Sequence, residues 1–365
     1  MFVVVDRVFR SAPRVPIPRY IANVTSMDMG SGERVPRAGR ATLADVARLA
    51  DVSTKTVSRA LSGEPNVDPE TRARVEGAAA ALRFRPNALA RELRQGGLTT
   101  TVGFVIGDLT NPFYMLVAAG VERVLAREGL TLMIAATEDE PENEAAVVGA
   151  MLDRRIRALL LVPVSDDHGY LEGERHFGTP VVAVDRPLAN AASDSVVFDN
   201  RGGARAGVQA LVSAGHRRVA FVGSAASLFT HGQRIQGYRE ALEAHGIVVD
   251  PTLIRTDGRD AASAETATRQ LLAAHAPPTA VFAGNNRAAI GVLRGIRDHS
   301  ARIGLLAFDD FELAETMGVS VVAHDPQEMG KVAARIAVSR IADPTVPVEE
   351  VVLPTRIILR GSERP

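Results

Sequence analysis

The sequence predicts an α/β protein in which an N-terminal all-α headpiece precedes a two-lobed core of parallel, doubly wound sheets. Three observations carry this. Residues 42–82 hold helix caps and apolar helical faces without a β-rich run. From Thr101 onward, compact apolar runs alternate with helical stretches such as PFYMLVAAGVERVLAREG, the pattern of strands buried on both faces between helical layers. The runs TVGFVIG, LTLMIAA, ALLLVPV, PVVAVD, SVVFD, RVAFVG, TAVFAG, RIGLLAF and VSVVAH are too many for one modest sheet. Two lobes are therefore expected, with a ligand cleft between the carboxyl edges of their strands.

Taken in order, residues 1–40 are rich in Pro, Arg and Gly and lack apolar periodicity. They read as a disordered basic arm, or as a mis-assigned start with translation beginning at Met27 or Met29. Residues 41–84 read as a three-helix headpiece. Thr42 with Asp45 forms a capping-box pattern, and Leu43, Val46, Ala47 and Ala50 make one apolar face. A tight turn at Asp51-Val52 leads to a second helix that Ser53 caps and that turns Val57 and Leu61 inward. Asp68-Pro69-Glu70 opens a third helix, running to about Leu82 and burying Val75, Ala79 and Leu82. Two short helices around a tight turn form a helix-turn-helix, whose second helix lies in the DNA major groove. Residues 85–97 hold RPNALARELRQGG, a short helix-capable linker whose leucines could wedge into a base step from the minor groove. Residues 98–365 form the core.

Composition sets bounds. A chain of 365 residues exceeds one average domain. The absence of cysteine excludes disulfides, thiol catalysis and cysteine-ligated zinc, and agrees with a cytoplasmic protein. No apolar run approaches the ~20 residues that cross a bilayer. Asp6, Arg7 and Arg10 interrupt what would be a signal-peptide core. The net charge of −1 hides an asymmetry, because residues 1–97 hold 16 Lys/Arg against 10 Asp/Glu and the remainder 26 against 33. A basic N-terminal part on an acidic body fits nucleic-acid contact at one end.

The motifs TLADVARLADVSTKTVSRAL, RFRPNALAREL, DLTNPFY, VDRP, FDNRGG, GHRRVAFVG, QRIQGYREAL and the AFDD…AHDP pair, in this order between about Ala41 and Gly361, make the chain similar to the lactose-repressor (LacI) family of bacterial transcription regulators. The resemblance implies a headpiece, a hinge helix and a core like that of periplasmic sugar-binding proteins. It places residues 98–198 and the helix 326–341 in one lobe, and residues 200–322 with VVLPTRIIL in the other, so that the chain crosses between lobes three times.

The resemblance also implies roles. Thr54, Lys55 and Arg59 would meet base edges, where Arg and Lys donate to guanine acceptors; the plainer reading makes them the wet face of the helix. Thr56, Ser58 and Asn66 suit caps and phosphate positioning. Leu93 corresponds to the wedge leucine, with Ala90 one turn before it and Asn87 as a cap; a coil linker with Leu93 packed on the core is the alternative. Two half-sites call for a homodimer on a palindromic operator. In the cleft, Asn111, Phe113 and Tyr114 follow the first core strand, Asp185 and Arg186 end another, and Arg234, Asn285, Asp309 and His324 come from the second lobe and its exit. Such a ring suits a polyhydroxylated small-molecule effector, although Asp and Asn after strands also cap helices or make turns. The chain departs from the family at Asn286, where Asp is common, at Arg287, and at His324, where Gln is common. One carboxylate fewer and one cation more near the cleft would suit an acidic sugar or sugar acid.

Enzyme signatures are missing: the chain holds no G-x-G-x-x-G, P-loop, G-x-S-x-G or H-E-x-x-H, and its eight histidines are scattered. No catalytic residue, metal or cofactor is expected. The reading is a transcriptional regulator, a repressor by default because a wedge over a promoter blocks polymerase. The alternative is a solute-binding sensor of the periplasmic type, against which the headpiece and the missing export signal argue.

Overall fold

The computed structural model describes residues 41–84, 99–176 and 178–364. They fall into two units, a small helical one and a larger α/β one. The arm and the 85–97 linker, with Asn87, Ala90 and Leu93, lie outside the described residues.

In the small unit, helices α1 (Leu43–Ala50), α2 (Thr54–Leu61) and α3 (Pro69–Ala81) close around Val46, Val57, Ala60 and Val75. Each start is capped as its sequence dictates. Thr42 and Asp45 satisfy each other's amides in a capping box, Ser53 accepts from Thr56 N, and Asp68 accepts from Thr71 N ahead of Pro69. Asp51 stops α1 by entering the left-handed region at φ 52°. Val57 is fully buried on α2, while Leu61 is only partly buried and Ala60 takes the second inward place.

The larger unit holds two six-stranded sheets. Lobe 1 contains β1 (Thr101–Ile106), β2 (Thr131–Ala136), β3 (Ala158–Leu161), β4 (Val181–Val184), β5 (Asp194–Phe198) and β11 (Glu350–Leu353), in the order β11-β5-β4-β3-β1-β2. Lobe 2 contains β6 (Val219–Val222), β7 (Ile254–Arg255), β8 (Ala280–Ala283), β9 (Gly304–Phe308), β10 (Ser320–Ala323) and β12 (Arg356–Ile358), in the order β12-β10-β9-β8-β6-β7. All pairs are parallel except β10 with β12. Central strands such as β3, β4, β6 and β8 are buried at every residue, which is why they read as unbroken apolar runs.

Helices cover both faces of each sheet. Lobe 1 carries α4 (Pro112–Leu125), α5 (Pro141–Leu152) and the short α6 (Glu172–His176), and lobe 2 carries α7 (Asn200–Ser213), α8 (Phe229–Ala244), α9 (Ala261–Leu272) and α10 (Asn286–Ile296). After β10 the chain returns to lobe 1 as α11 (Pro326–Ala342), whose Met329, Ala333 and Ile336 share a core with Val117 and Val121 of α4. These two helices meet backbone to backbone. A Cβ at Gly120 would lie 2.0 Å from Gln327 O, and one at Gly330 would lie 2.0 Å from Val117 O.

One expectation is corrected. The segment VVLPTRIIL does not belong wholly to lobe 2. Val351, Val352 and Leu353 pair in parallel with Val196, Val197 and Phe198 of lobe 1, and only Arg356–Ile358 joins lobe 2. Pro354 has no N–H to continue a ladder, so the chain changes sheets there. The three crossings therefore fall at Asp199, around His324–Asp325 and at Pro354–Thr355. No described helix is long and apolar enough to cross a membrane.

Candidate functional site

In the small unit, α2 presents Thr54 and Lys55 exposed at its start, while Thr56, Ser58 and Arg59 are half-exposed. Ser53 both caps the helix and bonds the Thr56 hydroxyl at 2.8 Å. Asn66 is exposed in the loop before α3. Arg59 Nε donates to Glu64 Oε2 at 2.8 Å, a counter-charge that the helical pattern did not reveal. Both partners are over a third exposed, so the pair is weak, worth under ~1 kcal/mol, and Arg59 exchanges Glu64 for a stronger acceptor at small cost. Arg72 of α3 donates to Ala60 O at 2.9 Å and to Glu64 O, which fixes the loop after α2. The basic excess of residues 1–97 lies outside this folded unit. Residues 41–84 hold six Lys/Arg and six Asp/Glu, so the basic excess belongs to residues 1–40 and 85–97. Within the folded headpiece, the placement of Lys55 and Arg59 on one helix makes the positive face.

In the larger unit, the strand ends of both lobes converge on a cleft. Its inner part, about 60 Å³, is walled by Asn111, Phe113, Tyr114, Asp185 and Arg186 of lobe 1 and by Arg234, Asn285 and Asp309 of lobe 2. These are eight of the nine residues singled out from the sequence. An adjoining outer chamber of about 810 Å³ is flanked by the loops 138–141, 163–166 and 186–189 and by Ser224–Phe229. Asp139, Ser224, His231, Arg259 and Arg287 also wall the inner cavity. Of these, Asp139 and His231 carried no readable signal, since their neighbours look like an ordinary acidic turn and a helix start.

The two lobes contribute matching aspartates. Asp185 follows β4 and Asp309 follows β9, the same place in each sheet order. Both adopt left-handed backbone, φ 69° and 70°, and both amides bond the neighbouring strand, to Val196 O and Val322 O. Asp tolerates this region better than most residues, and such strain concentrates at ligand sites. Their electrostatics differ. Burial raises the Asp185 carboxyl above its ordinary range, outweighing Arg186 and Arg234. Burial also acts on Asp309, but Arg234 and His324 overcome it and hold that carboxyl at about 2.

The arginines are held by fixed acceptors. Arg186 donates to Pro163 O, Tyr114 Oη and Asp139 Oδ1 at 3.1–3.3 Å. Among the described residues its Nε has no hydrogen-bond partner, although Asp185 Oδ2 lies 3.6 Å away. Arg234 donates to Asn200 Oδ1 at 2.8 Å and Gly284 O at 2.7 Å, and its guanidinium sits 3.7 Å from the centre of the Phe308 ring. His324 does not line the cavity. It stands behind Asp309, donating from Nε2 to Oδ1 at 2.8 Å, and its ring stacks on Phe198 at 4.1 Å because both residues sit at lobe crossings. Its expected contact with a ligand is thus replaced by support of Asp309.

Among the described residues, three polar contacts span the cleft. Asn286 Nδ2 donates to Asn111 Oδ1 at 3.1 Å, Arg287 pairs with Asp108, and Arg259 lies 4.0 Å from Glu140. Arg287 is therefore not an uncompensated cation and does not favour an acidic ligand. A cleft that offers paired donors and acceptors from two lobes, with an aromatic edge at Phe113, can bind adjacent hydroxyls while every cation keeps its carboxylate.

Comparison with known proteins agrees with this layout. Residues 42–87 match the family described as bacterial regulatory proteins, lacI family, and residues 208–363 match the periplasmic binding protein-like domain. The ribose operon repressor of Escherichia coli strain K12 is 31% identical over 88% of this chain and 99% of its own. A solved complex of the transcriptional regulator CelR with cellobiose is 30% identical, covering 88% of this chain and all of that one, with a TM-score of 0.66. The lac repressor dimer bound to operator and the anti-inducer ONPF has a TM-score of 0.78 over 89% of this chain and 99% of that one; at 24% identity it speaks for the fold alone.

Proposed function

The chain belongs to the lacI family of bacterial regulatory proteins, and from that premise we propose that it is a transcriptional repressor that binds a palindromic operator as a homodimer under the control of a neutral sugar-like effector. It is a regulator and not an enzyme. The observation that carries this reading is the union in one chain of a Ser53-capped α2 presenting Thr54, Lys55 and Arg59 with a cleft walled from both lobes. In the headpiece, Lys55 and Arg59 read base edges while the α2 cap and the loop at Asn66 position the backbone. For the 85–97 linker, whose Asn87, Ala90 and Leu93 lie outside the described residues, the proposed role is contact with the minor groove at the centre of the site. A cytoplasmic location follows from access to operator DNA.

For the effector, the arrangement supports hydroxyl recognition over anion recognition. Arg186, Arg234 and Arg287 each face a carboxylate, and the relatives named above include a ribose operon repressor and a regulator complexed with cellobiose. A ligand held by Asp185 and Arg186 on one side and Arg234 and Asp309 on the other favours the closed arrangement of the lobes, and differential affinity for that arrangement is what a regulator needs.

Selection of binding sites from random duplex DNA by the full chain, followed by footprinting with a panel of neutral sugars and sugar acids, tests the reading. A palindromic site whose occupancy changes with one neutral sugar is expected. Binding without sequence preference would overturn the DNA assignment, and a response to sugar acids alone would overturn the ligand class.

A further inference from the structure

The two departures at the start of α10, Asn286 and Arg287, both make contacts across the cleft. Helices α4 and α10 begin on opposite sides of it, capped by Asn111 and Asn285. Two helix N-termini facing each other bring partial positive charges together, and closure needs acceptors between them. The chain supplies these from lobe 1. Asp108 Oδ1 is already held by the Thr110 amide and hydroxyl at 2.7 Å each, which leaves Oδ2 for Arg287 across the cleft. Against the cost of burial, these two groups of Thr110 and the Arg287 guanidinium hold the Asp108 carboxyl below its ordinary range. Asn111 Oδ1 accepts from Phe113 N on its own side and from Asn286 Nδ2 on the other. On lobe 2, Asn286 is fixed by its amide to Asp309 Oδ2 at 3.3 Å and by its own Oδ1, which accepts from Arg287 N at 2.8 Å.

We infer that Asn286 and Arg287, with Asn111 and Asp108, form a latch that holds the two core lobes together without a ligand. The Asp108 side chain is 14% exposed and that of Arg287 31%, so salt screens this pair less than a surface pair. An aspartate at position 286 would present a carboxylate instead of the amide donor to Asn111 Oδ1 and remove that bond. The latch shifts the unliganded population toward the closed lobe arrangement, so that an effector contributes less of the closing free energy itself. This consequence rests on the effector-cleft reading, whereas the latch does not.

Because the chain lacks cysteine, the test can use the full chain with two introduced ones, Ala146→Cys on α5 and Ala262→Cys on α9, both exposed on opposite lobes. Spin labels there report the lobe–lobe distance by pulsed electron resonance, with no ligand present. A single short distance is expected, gaining a longer population in Arg287→Gln and in Asn286→Ala. The charge-exchanged pair Asp108→Lys/Arg287→Glu should restore the short distance. Coincident distributions in the parent and both single variants, or an open parent, would overturn the latch. If the exchanged pair fails to fold, the two single variants still decide. A chain that closes through the latch yet responds to no sugar would keep the latch and remove the effector reading.

Discussion

Asp185 and Asp309 occupy equivalent strand ends in the two lobes with the same left-handed backbone, yet their carboxyls are driven in opposite directions. The difference lies in their partners. Asp309 meets Arg234 at 3.4 Å and His324 at 2.8 Å, whereas Asp185 has Arg186 Nε at 3.6 Å against full burial. Asp309→Asn should therefore destabilise the core by about 3–5 kcal/mol at pH 7, since it leaves a buried Arg234 without its carboxylate. Asp185→Asn should cost much less. The sign with pH follows. Stability from Asp309 is present above its ordinary value of 3.8 and is lost as pH falls toward about 2. The Asp185 contribution runs the other way, diminishing as pH rises from its ordinary value through its raised one. Urea unfolding of the two variants at pH 7 and pH 4 checks the order, and equal losses at pH 7 would refute it.

His231 gives a second pH signature. Burial, with Arg234 and Arg186 nearby, lowers its imidazole to about 3, and its Nδ1 accepts from the Ser224 amide at 3.2 Å. Between the ordinary value of 6.5 and about 3 the unfolded chain holds a proton that the folded chain does not. Stability then falls as pH falls through that window, by up to about 1.4 kcal/mol per pH unit. His216, also lowered by burial, adds in the same direction. His231→Gln should flatten the slope measured by urea midpoints from pH 7 to pH 4. An unchanged slope would show that the imidazole titrates normally.

The Arg59–Glu64 pair predicts paired effects on operator binding. Arg59→Ala should cost about 1–3 kcal/mol on the specific site and relax selectivity at one base position of each half-site. Glu64→Gln should tighten binding slightly, by less than ~1 kcal/mol, because the exposed ion pair no longer competes for the guanidinium. Fluorescence anisotropy on a selected operator and on its single-base variants separates the two. Weakened binding in Glu64→Gln would mean that Glu64 orients Arg59 for the base.

What the sequence revealed and what it hid divide along physical lines. Caps at Thr42, Ser53 and Asp68 were legible because capping is local, involving residues three apart. Strands such as ALLL and VVAV were legible because burial on both faces leaves no polar position. The wall of the cleft was legible as a set of residues after strand ends. Pairings across large sequence separations were not. Nothing local to Arg287 announces Asp108, and nothing in VVLPTRIIL shows that Pro354 divides it between two sheets. His324 looked like a ligand contact because it begins the last crossover, but its ring is drawn onto Phe198 and behind Asp309.

The contact of α4 with α11 yields the last prediction. Gly120 and Gly330 let the two backbones touch, and an added Cβ at either would meet a carbonyl oxygen at 2.0 Å. Backbone cannot rotate aside as a flexible side chain would, so one helix must shift. In a helix interior, Gly→Ala ordinarily stabilises by about 0.5–1 kcal/mol. Here that gain is opposed by overpacking of typically 1–3 kcal/mol or more. Gly330→Ala should therefore lower stability, and Gly120→Ala should do the same. The double variant should lose less than the sum of the two, because the first shift already separates the helices that the second would push apart. Urea unfolding of the three variants measures this coupling. Additive losses would mean that the two contacts yield independently, each by local bending and not by a common displacement of α11.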